Sequence, residues 1–481
     1  MSKKKKNVEE LMKEALVPEE EQPYKIPENW AWVNLSPFIE LERGITFPAS
    51  AKMGQIEEGL IGCARTANIQ EDFVWDDLIY VDKQYLKNND NKLVRKDDIL
   101  MSVANSYHLV GKVSLIDELR EQITFGGFLL CIRAQKINKK FIYYYFKHLF
   151  MSGQIQKLAR QTVNIANINT QTIKSLPLQL PPLTEQKRIV EKVERLLNKI
   201  NEARQLIKEA KETFELRRAA ILDKAFRGEL SSDWRKLNQI KAPLNKEINK
   251  KIDTPPYSLP DSWSWVRLED VCEKITDGTH HSPKSYSEGD YMYITAKNIK
   301  EQGIILDNVT YVSEEVHRDI YNRCDVKKGD VLYIKDGATT GIATVNHLNE
   351  EFSLLSSVGV LRTRRELLSP DYLSFCLNSP STKERMLGMM SGNAIRRLTL
   401  KKIKQGIVPL PPIDEQMYIV NKLKHLFEVL YCEKSIIEKV ESQLNSLKQS
   451  ILSRAFRGEL GTHDPTEESA LELLKEVLSC D

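Results

Sequence analysis

Short polar segments between predicted strands carry the residues of this 481-residue chain that could do chemistry. Asn, Gln, Thr, His and Arg side chains can read base edges in the major groove of DNA, and Lys and Arg can hold phosphates. The candidates in the first half of the chain are Thr46, Lys52, Asn105, Ser106, Tyr107, His108, Arg160 and Asn164. The candidates in the second half are Thr279, His280, His281, Lys284, Tyr286, Lys335, Thr339, Thr340, Asn393, Arg396 and Arg397. These segments predict contact with DNA, although any single residue among them could instead belong to an ordinary solvated loop.

Catalytic and metal-binding motifs do not accompany these residues in the sequence. It contains no G-x-x-x-x-G-K-[ST] phosphate loop, no glycine-rich turn for a dinucleotide or S-adenosylmethionine, and no G-x-S-x-G elbow. The segment from Asp253 to Tyr257 resembles the Asp-Pro-Pro-Tyr motif of amino-methyltransferases, but Thr254 breaks its spacing. His280 and His281 are adjacent, so they point apart on extended backbone, and no third metal ligand is spaced near them. We therefore predict no catalytic residue and no metal site.

The composition narrows the class of protein without naming its ligand. The formal net charge is only +3, so charge alone does not indicate a nucleic-acid-binding protein. No run of about eighteen apolar residues occurs, and the basic start from Met1 to Lys6 leads into no apolar signal segment. The seven cysteines are scattered without a C-x-x-C pair, which favours a reducing compartment over structural zinc. We expect a cytoplasmic protein.

A doubled pair of motifs must organise the elements that carry the polar loops. The P-P-[LI]-x-E-Q segment at 181–186 returns at 411–416, and the A-F-R-G-E-L segment at 225–230 returns at 455–460. Both motifs are displaced by the same 230 residues, from 181 to 411 and from 225 to 455, so the runs between them have equal length. A repeat of this kind indicates two copies of one architecture.

The runs between the motifs have the signals of two long helices. Thr184 and Asp414 follow the prolines and are good N-cap residues, and Gly228 and Gly458 suit the left-handed C-cap conformation. Apolar residues alternate at steps of four and three, which is the heptad seam of a coiled coil. The seam residues are Ile189, Val193, Leu196, Ile200, Ala203, Ile207, Ala210 and Phe214 in the first run and Ile419, Leu423, Leu426, Leu430, Ile437, Val440, Leu444, Leu447 and Ile451 in the second. We predict two antiparallel helices, each about 65 Å long, in an intramolecular coiled coil.

Two similar globular units accompany these helices. Each opens with a P-x-x-W-x-W-V segment, at Pro27 and at Pro260, and continues with short apolar runs of strand length. The predicted strands lie near 60–67, 99–104, 109–116, 127–132, 291–295, 331–334, 341–345 and 358–362, with a helix at 141–150 and a C-terminal helix that begins at Asp464. The predicted fold is α/β (α+β) with a pseudo-two-fold internal repeat. The predicted segments are an N-terminal docking helix and linker (1–25), a first domain (26–182), a central long helix (183–230), a linker (231–258), a second domain (259–412), a distal long helix (413–460) and a C-terminal helix (461–481).

The doubled motifs resemble those of the specificity subunit of Type I restriction-modification enzymes. The likeness covers almost the whole chain and includes D-G-T-H at 277–280 and S-G-N-A-I-R-R-L at 391–398. The first unit departs from this pattern in the matching loops, 44–47 and 161–164. The resemblance implies that each unit is a target recognition domain for one half of a bipartite DNA site, and that the helix pair sets the spacer between the halves.

The resemblance also implies partners and cofactors. Two modification subunits would dock on the helices and on the domains and carry S-adenosylmethionine to methylate one adenine in each half-site, and two restriction subunits would bring ATP and Mg. This chain would be non-catalytic, would bind no cofactor itself and would contact no membrane. The candidate partner-binding residues are Glu185, Gln186, Phe226, Arg227, Glu415, Gln416, Phe456 and Arg457.

Two other functions stay open at this stage. One is a methyltransferase or nuclease in its own right, which methylation of DNA by the purified chain with S-adenosylmethionine and no partner would support. The other is a coiled-coil scaffold with two adaptor domains that do not bind DNA, which a DNA gel shift with steep salt dependence would exclude.

Overall fold

A computed structural model of the chain describes residues 7–55, 57–162, 165–239, 252–390 and 397–479. The α-helices are α1 (Val8–Ala15), α2 (Lys139–Met151), α3 (Gln154–Lys157), α4 (Thr170–Lys174), α5 (Leu183–Phe226), α6 (Ser232–Leu237), α7 (Leu268–Val271), α8 (Glu314–Arg323), α9 (Pro370–Asn378), α10 (Pro380–Gly388), α11 (Leu400–Gln405), α12 (Ile413–Phe456) and α13 (Ala470–Ser479). Short 3₁₀ helices cover Glu19–Glu21, Ser36–Phe38, Ala49–Ala51, Thr66–Asn68, Lys83–Leu86, Asp90–Lys92 and Ala296–Asn298.

The strands are short, as expected for a mixed fold with many loops. They are β1 (Ala31–Asn34), β2 (Ile39–Arg43), β3 (Leu60–Ala64), β4 (Ile79–Asp82), β5 (Ile99–Ser102), β6 (Ala104–Asn105), β7 (Val113–Leu115), β8 (Ile123–Phe125), β9 (Leu129–Ala134), β10 (Arg160–Gln161), β11 (Ala166–Asn167), β12 (Pro177–Leu180), β13 (Ser264–Arg267), β14 (Cys272–Asp277), β15 (Tyr291–Ile294), β16 (Ile299–Lys300), β17 (Gly303–Ile304), β18 (Thr310–Val312), β19 (Val331–Ile334), β20 (Ala343–Val345), β21 (Phe352–Leu354), β22 (Val358–Thr363) and β23 (Ile407–Leu410).

Two compact units make up the chain, and each takes half of each long helix. The first unit combines Met1–Leu206 with Lys439–Asp481, and the second is Ile207–Glu438. The first unit therefore contains the beginning of α5 and the end of α12, and the second contains the end of α5 and the beginning of α12.

The sheets of the first unit have an antiparallel framework. β2, β9, β5 and β7 form a four-stranded sheet in that order, and β1 pairs antiparallel with β12. β4, β3 and β8 form a separate sheet in which β3 and β8 are parallel. β10, β11 and β6 form a small three-stranded sheet. Apolar strand residues, α2 and the ends of the two long helices bury one continuous core.

The second unit repeats three of these four sheets; among the described residues the β10–β11–β6 sheet has no counterpart. β14, β22, β19 and β20 form the four-stranded sheet, β13 pairs with β23, and β18, β15 and β21 form the sheet with one parallel pair. A separate β16–β17 pair follows β15. The predicted internal repeat is therefore confirmed at the level of sheet order.

Both long helices contain 44 residues, as the equal spacing of the motifs predicts. They begin at Leu183 and Ile413, where the predicted helical segments begin, but Thr184 and Asp414 then lie in the first turn and are not N-caps as expected. The prolines directly before these helices prevent the helical backbone from extending further toward the N-terminus.

A glycine lies just beyond the C-terminal end of each long helix, as predicted. Gly228 has φ of 78° and Gly458 has φ of 71°, which is the left-handed conformation of a helix C-cap. A Cβ on Gly228 would lie 2.5 Å from Cγ of Pro260, and a Cβ on Gly458 would lie 2.4 Å from Cγ of Pro27. The glycine of each A-F-R-G-E-L motif thus lets the opening proline of the domain in its own unit pack against the helix end.

The two long helices are antiparallel in each unit. In the first unit the Arg204 guanidinium donates to the side-chain oxygen of Asn445 (2.6 Å). In the second unit Nη1 of Arg217 donates to Glu433 (2.7 Å), and Phe214 packs against Tyr431 with 6.0 Å between ring centroids. Glu433, which interrupts the predicted apolar seam, is therefore satisfied by an interhelical ion pair.

A matched ion pair joins each domain to a long helix. In the first unit Glu71 contacts Lys448 of α12, and in the second Glu301 contacts Arg218 of α5. Glu301 lies 230 residues after Glu71, and Lys448 lies 230 residues after Arg218. Burial alone would raise the pKa of Glu71, but Lys448 and neighbouring cations outweigh that effect and lower it.

The terminal helices pack on each other within the first unit. Ala15 of α1 and Leu474 and Leu478 of α13 are buried in the same apolar cluster. The C-terminal helix begins at Ala470, later than the prediction at Asp464. Asp464 instead accepts a hydrogen bond from the backbone N–H of Thr466 (2.9 Å), which closes a local turn rather than a helix.

Two further expectations need correction. The segment 231–258 is not entirely a linker, because α6 begins at Ser232 and the hydroxyl of Ser231 donates to buried Glu415 (2.6 Å). The predicted strand at 109–116 is only Val113–Leu115, because Gly111 has φ of 86° and forms a turn before it. The sequence prediction also omits α8.

Candidate nucleic-acid interface

The loop after the first strand of the four-stranded sheet starts at the same point in both units. β2 and β14 are each followed by a glycine, because a neighbouring chain segment passes too close for a side chain. A Cβ on Gly44 would lie 2.2 Å from the carbonyl oxygen of Gly126, and a Cβ on Gly278 would lie 2.0 Å from that of Leu354. Such close approach requires glycine, so the frame fixes the start of each loop while leaving its later residues free to differ.

In the first unit, a small sheet gathers residues that are far apart in sequence. β6 pairs with β11 so that Asn105 lies opposite Ala166, and β10 pairs with β11 so that Arg160 lies opposite Asn167. Arg160 is exposed and Asn105 is half-buried. The exposed residues that follow β6 are Ser106, Tyr107 and His108. The structure therefore brings together two of the three predicted DNA-contacting segments of this unit.

The remaining segment of the first unit borders a cavity of 310 Å³. Thr46 and Lys52 line it together with Arg65, and Phe47 contributes an apolar wall. Phe128, which also lines the cavity, is 63% exposed. Cationic, hydroxyl and aromatic groups at one surface can hold phosphate and stack on a base.

In the second unit, the loop after β14 is anchored by a buried carboxylate. Asp277 is 2% exposed and lies 2.9 Å from Nη2 of Arg323 and 3.3 Å from Nζ of Lys335. His280 Nε2 lies 2.8 Å from the same Nη2 of Arg323, and Lys335 also contacts Asp336 (3.1 Å). This cluster connects the loop after β14 to the end of α8 and to the end of β19.

Two predicted DNA contacts in this unit are buried and do not reach the surface. Lys335 is 6% exposed because its ammonium is paired with Asp277 and Asp336. Thr340 is also buried, and its hydroxyl donates to the carbonyl oxygen of Gly337 (2.6 Å). In the structure these two residues hold the loop in shape, so the expectation that they touch DNA directly needs correction.

The other candidates of the second unit lie at the surface where the structure describes them. His281, Lys284, Tyr286, Thr339 and Arg397 are exposed, and Thr279 is half-buried. Nζ of Lys284 lies 5.2 Å from the ring centroid of Tyr286, a cation–π arrangement that presents charge and aromatic surface together. The candidates Asn164, Asn393 and Arg396 lie outside the described residues.

The Glu-Gln pairs of the P-P-[LI]-x-E-Q motifs are buried within the chain. Glu185 accepts from the Trp30 indole N–H (2.8 Å), and Glu415 accepts from Arg235 (2.6 Å). The Gln186 amide donates to the carbonyl oxygen of Pro181 (2.9 Å), and Gln416 makes the matching bond to Pro411 (2.8 Å). These four candidate partner contacts are fully buried and hold helix to domain, so the structure does not present them to a partner.

The A-F-R-G-E-L motif has one buried and one exposed candidate in each copy. Phe226 and Phe456 are fully buried, the first against Tyr372 and the second against residues of α2. Arg227 and Arg457 are exposed. Of the sequence-derived partner contacts, only these two arginines lie where another subunit could reach them.

The structure adds three surface residues that the sequence prediction omits, Arg65, Arg323 and Phe128. The acidic pair Glu314–Glu315 after Ser313 is a helix-start signal that could have located α8 and hence Arg323 at its end. No spacing in the sequence reveals that Arg323 contacts Asp277, because the pair forms only when α8 packs beside β14.

The described residues contain no group of three or more His, Cys, Asp or Glu side chains that could hold a metal ion. Among the same residues, no helix has the length and apolar character needed to cross a membrane. What the two loop clusters offer is hydrogen-bond donors and acceptors, cations and aromatic rings.

Curated relatives align with this chain along most of their length. The chain is 25% identical to the EcoKI specificity subunit of Escherichia coli K12 over 91% of this chain and 90% of that protein. It is 26% identical to the EcoBI specificity subunit of Escherichia coli over 68% of this chain and 67% of the relative. A putative MjaX specificity subunit of Methanocaldococcus jannaschii is 25% identical over 73% and 77%.

Solved structures confirm the fold. A chain from a structural study of complex assembly and conformational transition of the type I R-M system matches with a TM-score of 0.67 and 22% identity, over 91% of this chain and all of that chain. The HsdS subunit from Thermoanaerobacter tengcongensis matches with a TM-score of 0.54 and 22% identity, over 91% and 99%.

Both copies of the internal repeat match one protein-family model. The model of the Type I restriction modification DNA specificity domain matches residues 27–212 and again residues 260–442. Each match covers one globular domain and most of the long helix that follows it. This chain therefore belongs to the family of Type I restriction-modification DNA specificity domains, of which it carries two.

Proposed function

We propose that this chain is the specificity subunit of a Type I restriction-modification system. Each domain binds one half of a bipartite site in double-stranded DNA, through the loop clusters around β2 and β14. The observation that carries the proposal is the contrast between frame and loops. The four-stranded sheet, the three-stranded sheet with one parallel pair and the pair of end strands have the same order in both units, yet the loop after Gly44 and the loop after Gly278 have unrelated side chains. Shared scaffolds with unlike loops suit two modules that recognise different half-sites.

The helices have two roles in this proposal. They set the length of the unspecific spacer between half-sites, and they dock two modification subunits. Those subunits supply S-adenosylmethionine and methylate one adenine in each half-site, and two restriction subunits add ATP- and Mg-dependent action on DNA. Arg227 and Arg457 are the partner contacts that this proposal retains, because both are exposed beside the helix ends. The chain itself supplies recognition and binds no cofactor.

Selection of random duplexes by the full-length chain tests this proposal. We expect two conserved blocks separated by a spacer of fixed length, and a binding constant that falls steeply with salt as counterions are released. Asn105→Ala should relax selection in one block only, and His281→Ala in the other only, each by roughly 1–3 kcal/mol per lost base contact. Leu206→Ala, which truncates a side chain 66% exposed on α5, is the control that should leave both blocks intact.

Three results would count against the proposal. Selection of a single continuous block would exclude a bipartite reader. Methylation of DNA by the chain alone with S-adenosylmethionine would favour a self-sufficient enzyme. Binding that is absent at low salt would favour a scaffold whose domains hold other ligands.

A further inference from the structure

The pairing of Arg323 with Asp277 places a guanidinium beside the loop after β14. Nη2 of Arg323 donates to Oδ1 of Asp277 (2.9 Å), and Asp277 is only 2% exposed. The Arg323 side chain is itself 51% exposed. A buried carboxylate thus fixes one end of a planar donor group whose other edge faces solvent.

His280 occupies one further hydrogen-bonding position of this guanidinium. Its Nε2 lies 2.8 Å from Nη2 of Arg323. Arginine can only donate, so Nε2 is the acceptor in this contact, and the same Nε2 lies 3.4 Å from Oδ1 of Asp277. Within the described residues no other side chain contacts the guanidinium, so Nη1 remains available to an external acceptor.

The charges around Arg323 balance. Arg323 and Lys335 are positive, and Asp277 and Asp336 are negative, with contacts of 2.9 Å, 3.3 Å and 3.1 Å linking them. A cluster with no net formal charge is a poor site for phosphate, because the carboxylates repel it. It is a good site for a neutral ligand that presents two acceptors to a pre-oriented fork.

We propose that Arg323, oriented by Asp277, forms a guanine-binding subsite of the second domain. Guanine offers O6 and N7 as paired acceptors in the major groove, and arginine is the side chain that most often binds them together. In the complex, the base takes Nη1 and the Nη2 hydrogen that now points to His280, and His280 turns away. This inference rests on the proposed function and assigns one base type to one domain.

The test uses the full-length chain and the duplex that it selects. The half-site of the second domain should contain a guanine whose replacement by 7-deazaguanine, which lacks the N7 acceptor, weakens binding about tenfold. Arg323→Gln should bind guanine and 7-deazaguanine at that position within about twofold of each other, because the interaction is already lost. The same variant should select adenine there, since glutamine pairs with N6 and N7 of adenine.

Arg318→Gln is the matched control. Arg318 lies on the same helix, is exposed, and pairs with Glu314 rather than with the Asp277 cluster. It removes the same charge and should retain both the guanine preference and the sensitivity to 7-deazaguanine.

Each contrary outcome has a distinct meaning. A selected half-site without guanine, or an Arg323→Gln variant that still selects guanine, overturns the subsite while DNA binding by the chain stands. A uniform loss of affinity on all sequences, with the salt slope smaller by about one, makes Arg323 a phosphate contact and also overturns it. If the wild-type chain selects no sequence at all, the proposed function fails and the subsite fails with it.

Discussion

Aspartate–arginine pairs recur at equivalent residues of the two domains. Asp98 accepts from Nε of Arg133 (3.0 Å) in the first unit, and Asp330 accepts from Nε of Arg362 (2.9 Å) in the second. Both carboxylates are almost fully buried. A buried ion pair costs several kcal/mol of desolvation and is kept only with good geometry, so these bidentate pairs fix the starts of β5 and β19, at the opposite ends of the strands from the polar loops.

The second unit adds Asp325 to this network, and its titration gives a pH-dependent prediction. Asp325 contacts Lys274 and lies 3.3 Å from Nη1 of Arg362. Burial alone would raise the pKa of Asp325, but these two cations outweigh burial and lower it from 3.8 to about 2. A depressed carboxylate pKa stabilises the fold above its ordinary value, and this contribution is lost as pH falls from about 4 towards 2.

We expect Asp325→Asn to lower the free energy of unfolding at pH 7 by on the order of 1 kcal/mol, and the unfolding temperature with it. The effect is small because the carboxylate is partly solvated. Below about pH 2 the variant and the wild type should unfold at the same temperature. Asp319→Asn, which removes an exposed charge from α8, is the control and should leave the unfolding temperature unchanged both at pH 7 and below pH 2. An equal gap between Asp325→Asn and wild type at both pH values would contradict the assignment. Calorimetry of the full chain across this pH range makes the comparison.

At the scale of elements, the structure gives the doubled motifs a role that the resemblance alone does not. The A-F-R-G-E-L motif was expected to present Phe226 and Phe456 to a partner. Instead Phe456 is fully buried and packs against Phe141, with 5.1 Å between ring centroids, and against Tyr145 (5.8 Å). The motif is therefore the point at which a long helix is fixed to its domain.

This placement predicts different effects for neighbouring residues of one motif. Phe456→Ala should destabilise the first unit by about 3–5 kcal/mol through the cavity it leaves. Arg457→Ala should cost at most about 1 kcal/mol, because its guanidinium is exposed and lies over the Tyr24 ring, 4.9 Å from the centroid. Hydrogen exchange of α2 and the end of α12 measures both effects.

Leu447→Ala is the control on the same helix, because Leu447, predicted as a seam residue, is instead 48% exposed and should tolerate truncation. A Phe456→Ala variant that keeps the hydrogen-exchange protection of α2 but no longer binds modification subunits would contradict this assignment. It would indicate that Phe456 contacts a partner subunit.

The elements also show where sequence patterns suffice. The lengths of α5 and α12 were predictable because local backbone geometry places proline before a helix and glycine after it. A run of apolar residues at heptad spacing connects the two signals. Strands such as Val331–Ile334 were predictable because they are apolar and bounded by polar residues. The burial of Lys335 and the position of Arg323 were not predictable from the sequence. Both side chains form ion pairs with the carboxylate of Asp277, which is distant from them in the chain. Loop composition indicates the kind of ligand, whereas tertiary packing decides which side chains can reach it.

At the scale of the whole chain, each unit needs residues from both long helices. The first unit includes Met1–Leu206 and closes only with Lys439–Asp481, and the second lies between them. The ion pairs of Glu71 and Glu301 show the same arrangement. Through each pair, a domain contacts the second half of the long helix that follows the other domain in the sequence. The repeat is therefore reciprocal: each half of the sequence supplies a domain and the end of a helix that completes the other unit.

Because the proposed spacer depends on helix length, removing one heptad from each long helix should change the DNA site. Deleting 207–213 from α5 and 437–443 from α12 removes matching segments while retaining Arg204 with Asn445 and Arg217 with Glu433. A whole heptad keeps the apolar seam facing its partner helix, and it shortens each helix by about 10.5 Å. At about 3.4 Å per base pair, the spacer in the selected site should shorten by roughly three base pairs, with both half-sites unchanged. Substitution of exposed Leu206 and Ile436 by alanine, without deletion, should leave the spacer as it is. An unchanged spacer, or altered half-sites, in the deleted chain would show that the helices do not measure the distance between them.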